Sequence, residues 1–126
     1  MHRSTVLIGV TGVALMSGLS IANAKTFNGE IMDSQCAKMG SHAMMMKQEG
    51  MGDKDPNDPM AKKMCTENCV KMGGKYVLYD PATKTVYQLD DQNKPKEFAG
   101  QNVKVNGSLD KATKTIHVES IKEGYE

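Results

Sequence analysis

The sequence predicts a mainly β fold (α+β), a small five-stranded barrel with a Cys/Met-rich helical insertion after its first strand. Three observations predict it. Residues 75–121 hold almost all the β-branched and aromatic residues downstream of the N-terminal segment, and no Cys or Met. Within that stretch two near-identical turns, DPATKT at 80–85 and DKATKT at 110–115, each join a pair of apolar runs. Residues 32–72 hold nine of the eleven Met and all three Cys. The chain therefore divides into a strand-forming half and a sulfur-rich one.

The N-terminus reads as a leader. Met1-His2-Arg3 precedes the apolar run STVLIGVTGVALMSGLSIANA, which ends in Ala22-Asn23-Ala24. A basic start, an apolar stretch and an A-x-A site make a secretory signal peptide over 1–24, with cleavage expected after Ala24. Gly9, Gly12, Ser17, Gly18 and Ser20 interrupt the run, which is short for a spanning helix. No cysteine follows Ala24, which argues against a lipid anchor. The expected product is periplasmic or secreted, with residues 25–126 forming a single domain.

That product carries fifteen Lys against fifteen Asp plus Glu. A neutral chain lacks the basic excess that nucleic acid or an anionic membrane requires, so neither is expected as a partner. The residues name no protein partner either. With no Trp and two Phe the core is modest, and a disulfide or metal staple would help it fold.

The elements follow in order. KTFNGEIM (25–32) places Phe27, Gly29 and Ile31 on one face of a first strand. The insertion spans about 33–74. A short turn or helix begins near Ser34 and carries Cys36, and a polar loop, KQEGMGDKDPNDP, follows the Met run. Asp58 as N-cap, Pro59 at the first helical position and Gly73-Gly74 after the last turn define a helix over 59–72. KYVLYD (75–80) and KTVYQLD (84–90) form one hairpin, with Asp at the first turn position bonding the backbone beyond it. A linker, NKPKEFAG, holds a short helix at about 95–99. QNVKVNGSLD (101–110) and KTIHVES (114–120) form the second hairpin. Val103, Val105, Gly107 and Leu109 share one face, and Gly107 marks a bulge or barrel corner. This order resembles that of OB-like barrels, with the usual connecting helix reduced.

The segments GEIMDSQC (29–36), CTENCVKMGGKYVLYD (65–80) and FAGQNVKVNGSLDKATKTIHVESI (98–121) resemble a family of small exported bacterial proteins. That family carries an uncharacterised OB-like domain with D-x-x-C and C-x-x-x-C-V motifs. Its members often have a His shortly after the first Cys, the place of His42. The Met cluster and the loop at 44–58 depart from its pattern. The resemblance implies a fold and an exported location, and it supplies no catalytic residue.

Cys36, His42, Cys65 and Cys69 are the candidate metal ligands. Cys65 and Cys69, four apart, lie on one helix face. Three thiolates and an imidazole are a tetrahedral Zn²⁺ set of the closed, structural type. Soft sulfur ligands equally suit Cu(I), with Met44, Met45 and Met46 after His42 as possible helpers. C-x₃-C is not a zinc-finger spacing. The alternative from the same residues is one disulfide, Cys36 to Cys65 or Cys69, with a thiol left over, in an exported module that binds a ligand or protein partner through its barrel. Met64 and Met72, on the helix, are expected to fill the core.

Other chemistries fade. No C-x-x-C-H is present, so c-type haem is excluded. Asp53, Asp55 and Asp58 lack the Gly and Glu of an EF-hand. His117 sits on an exposed strand face. Tyr76, Tyr79 and Tyr87 could stack bases or sugars, but tyrosine is common in strands. Redox thiols favour C-x-x-C at a helix N-terminus, whereas Cys65 falls in mid-helix. The expectation is a metal-binding protein, not an enzyme.

Overall fold

The computed structural model describes residues 24–124; the leader expected over 1–24 lies outside them, Ala24 apart. Five strands are present: β1 (Lys25–Asp33), β2 (Tyr76–Asp80), β3 (Thr85–Leu89), β4 (Asn102–Asp110) and β5 (Thr115–Glu123). They close into a barrel-like ring in the order β1-β2-β3-β5-β4. β1 serves both ends of the ring. Its first part pairs with β4, from Lys25↔Gly107 to Glu30↔Asn102, and its last part with β2, from Glu30↔Tyr79 to Asp33↔Tyr76. β3 and β5 meet in parallel, and every other pair is antiparallel. The expected fold class, mainly β with a helical insertion after the first strand, is the one found.

The repeated turns have one geometry. Asp80 Oδ1 accepts from Ala82 N–H at 2.9 Å, and Asp110 Oδ1 from Ala112 N–H at 3.0 Å. In each turn a threonine pair then bonds side chain to side chain, and a lysine takes a left-handed φ: 54° at Lys84 and 51° at Lys114. The register shift between Asn106 and Gly107 is the bulge expected at that glycine. A Cβ at Gly107 would collide with the His117 carbonyl oxygen, so the closeness of β4 to β5 there requires glycine. The 3-10 segment Lys94–Phe98 replaces the longer connecting helix and buries Pro95.

Three helices lie between β1 and β2: α1 (Ser34–Met39), α2 (Ala43–Gln48) and α3 (Pro59–Lys71). α3 starts as expected, with Asp58 Oδ1 accepting from Met60 and Ala61 N–H. α2 stands where a loop was expected. It is two turns at most, and its N-cap His42 makes no side-chain cap hydrogen bond, so neither a cap signal nor a long period announces it.

β1 from Gly29 on and β2 from Tyr76 to Leu78 are buried on both faces, which separates two cores. Ile31, Tyr76, Leu78, Val103, Val105 and Ile116 fill the ring. Met32 and Val77, pointing the other way, pack with Cys36, Ala37, Met45, Met46, Ala61, Cys65 and Cys69 of the helices. The insertion is thus a layer laid on the outer face of two strands, with its own apolar core. The cysteines sit in that second core.

Candidate metal centre

Asp33 ends β1 and starts α1. Its Oδ2 accepts from the N–H groups of Gln35 (2.9 Å) and Cys36 (3.3 Å), an N-cap that sets Cys36 in the first turn of α1. Ala61, Cys65 and Cys69 form an i, i+4, i+8 stripe on α3, and all three are buried. Cys36 meets this stripe from across the core, its Sγ 3.9 Å from Cys65 Sγ. The ligand atoms of Cys36, Cys65 and Cys69 all lie within 4.8 Å of one another. No disulfide joins them; the three cysteines stand as thiols.

The four residues read together from the sequence fall into two overlapping groups. His42 joins Asp33 and Cys36, again all within 4.8 Å, while Cys36, Cys65 and Cys69 form the other group. Cys36 is common to both. Asp33 was legible only as part of D-x-x-C, and its capping role is what brings its carboxylate to the first cysteine.

Every thiol is held protonated. Burial pushes Cys36 far above the ordinary thiol range, with the Asp33 carboxylate adding to it. Cys65 is raised by burial. Cys69 is pushed up to about 12, first by burial and then by electrostatic interaction with Asp33, Cys65 and Glu49. Cys69 Sγ also donates to Glu49 Oε1 at 3.5 Å. Protonated, buried thiols are poor nucleophiles, and a cation among them would favour their ionised form. On the other flank His42 Nε2 lies 3.5 Å from Glu30 Oε1, and Lys62 Nζ lies 3.0 Å from the same oxygen. Burial pushes the Glu30 carboxyl up, but His42 and Lys62 together outweigh it and hold Glu30 below the usual carboxylate range.

The methionines divide. Met45 and Met46 are buried in the core of the thiols, while Met44 is exposed. Three consecutive helical residues cannot all face inward. The expectation that Met64 and Met72 fill the core is overturned: they are 48% and 68% exposed. Met64 precedes Cys65 and is rotated about 100° from the buried stripe. Met72 is the C-cap of α3, beyond its last packed turn. The tyrosines form no shared platform. Tyr76 faces the ring and Tyr79 the helical layer, and Tyr87 packs on Phe27 with ring centroids 5.3 Å apart. His117 is exposed, as expected, with Nδ1 3.1 Å from Asp90 Oδ2.

Fold and site together define a small mainly β protein whose helical insertion buries a three-thiol cluster. Residues 70–124 match a protein family of unknown function, DUF5818. The matched region runs from the last residues of α3 through β5, so it begins one residue after Cys69 and includes none of the candidate ligands. No curated protein and no solved structure matches the chain.

Proposed function

We propose that this protein binds a thiophilic metal ion through Cys36, Cys65 and Cys69, as a binding protein rather than an enzyme. The spacing of the sulfurs carries the reading. Thiolates about 2.3 Å from a tetrahedral ion stand about 3.8 Å apart. Cys36 and Cys65 stand 3.9 Å apart, with Cys69 within 4.8 Å of both. Little side-chain movement separates this arrangement from a coordinated one.

Zn²⁺ in this place clamps α1 to α3 and so ties the inserted layer to the barrel. Cu(I) uses the same thiolates, with Met45 and Met46 in the surrounding core. The leader read at 1–24 adds the proposal that the protein works outside the cytoplasm, where a bound ion also shields thiols from oxidation.

The test is metal analysis and native mass spectrometry of protein isolated after export, without added reductant. Bound Zn²⁺ or Cu(I), lost in Cys69→Ser, is the expected result. A metal-free chain lighter by two hydrogens means a disulfide with a spare thiol, and overturns the proposal.

A further inference from the structure

A second group of potential ligands shares Cys36 with the thiol trio. Asp33, Cys36 and His42 are buried, and their ligand atoms lie within 4.8 Å of one another. Asp33 is 0% and His42 2% exposed. Asp33 Oδ2 is occupied by the α1 cap, but Asp33 Oδ1 and both ring nitrogens of His42 are buried with no hydrogen-bond partner among the described residues. Orphaned polar atoms in such a place call for an ion or a water.

The outer contacts prepare the imidazole as a ligand. Glu30 faces His42 Nε2 at 3.5 Å and is itself held by Lys62 at 3.0 Å. A carboxylate on that side can orient the ring, as carboxylates do beside metal-bound histidines, while both ring nitrogens lack a hydrogen-bond partner.

We propose that Asp33, Cys36 and His42 form a second divalent-metal site that shares the Cys36 sulfur with the thiol trio, so that one bridging thiolate holds two ions. This rests on the three-thiol reading above. A buried carboxylate beside three thiols favours bound cations, because each thiol that ionises on binding adds negative charge to the same place. Glu49, half-buried at the Cys69 end, adds a further negative charge there. A carboxylate oxygen, an imidazole nitrogen and a thiolate are a donor set that suits Zn²⁺.

The experiment titrates the metal-stripped protein with Zn²⁺ against a chromophoric chelator, and with Co²⁺ by absorption. Wild type is expected to bind two ions. Asp33→Asn and His42→Ala are each expected to bind one, with most of the thiolate-to-cobalt charge-transfer intensity kept. The carboxamide that Asp33→Asn introduces can still cap α1, so this variant carries the test if His42→Ala fails to fold by circular dichroism. The double variant Cys65→Ser/Cys69→Ser is expected to bind one ion with weaker charge transfer. A single ion in wild type overturns the second site and leaves the thiol trio standing, whether or not His42→Ala weakens that ion. Two ions that persist in both Asp33→Asn and His42→Ala overturn it as well. No ion at all overturns both readings.

Discussion

Cys36 and Cys65 are separated by 29 positions in the chain, yet their sulfurs lie 3.9 Å apart in a site closed to solvent. One belongs to the first turn after β1 and the other to the middle of α3. Their meeting is the contact on which the metal reading turns, and it joins the two ends of the insertion.

Metal removal should therefore destabilise the protein. An ion held at about a hundredfold above its dissociation constant stabilises the fold by about 2.7 kcal/mol. For a domain of this size that corresponds to a Tm change of roughly 10–20 °C. Thermal melts with and without a chelator measure it. A Tm indifferent to chelator, in protein shown beforehand to carry metal, would contradict the clamp.

Metal binding should release protons, because the thiols are protonated before the ion arrives. Calorimetry near pH 7 in buffers of different ionisation enthalpy should report about three protons for an ion on the trio. The metal-free protein should in turn weaken in alkali. An unfolded thiol ionises near its ordinary value of 9.0, whereas Cys69 in the fold holds its proton to about 12. Between those values the unfolded state binds fewer protons than the native one, so stability falls as pH rises. The contribution is fully present below pH 9 and lost on the way to 12. A flat stability profile of the metal-free protein across that window would refute this.

Gly107→Ala should cost about 2 kcal/mol or more, because the new methyl meets backbone, the His117 carbonyl, rather than a side chain that can move aside. Urea unfolding measures it. An unchanged midpoint would mean that the bulge between β4 and β5 opens without penalty.

Lys84→Gly and Lys114→Gly should each stabilise the fold by about 0.5–1 kcal/mol. Both lysines hold left-handed backbone, which is costly for any side chain with a Cβ. Similar gains at both positions are expected, since the turns share one geometry. A loss at either would show that the lysine side chain contributes something the backbone argument omits.

Much of this molecule is readable along the chain. The repeated Asp-led turns identify the two hairpins, and period-two alternation identifies β4, because a strand half-covered by a core writes its burial into every second residue. Asp58, Pro59 and Gly73 mark α3 through local backbone chemistry, and the four-residue spacing alone puts Cys65 and Cys69 on one face. The short helix α2 was not readable, since it lacks both a capping side chain and enough length to show a period. Nor were the burial of both faces of β1 and β2 where the two strands pair, the exposure of Met64 and Met72, or the separation of Tyr76 from Tyr79. Each depends on which surface the inserted layer covers.

The sequence by itself determined the strands, the main helix and the presence of three thiols and an imidazole able to take a metal. Only the tertiary structure decided how they group: Cys36 beside Cys65, Asp33 drawn in by its cap, and His42 turned toward Glu30. The reason is physical. Local patterns report interactions between residues a few positions apart, whereas a ligand set closes over long loops and is settled by how the helical layer packs on β1 and β2.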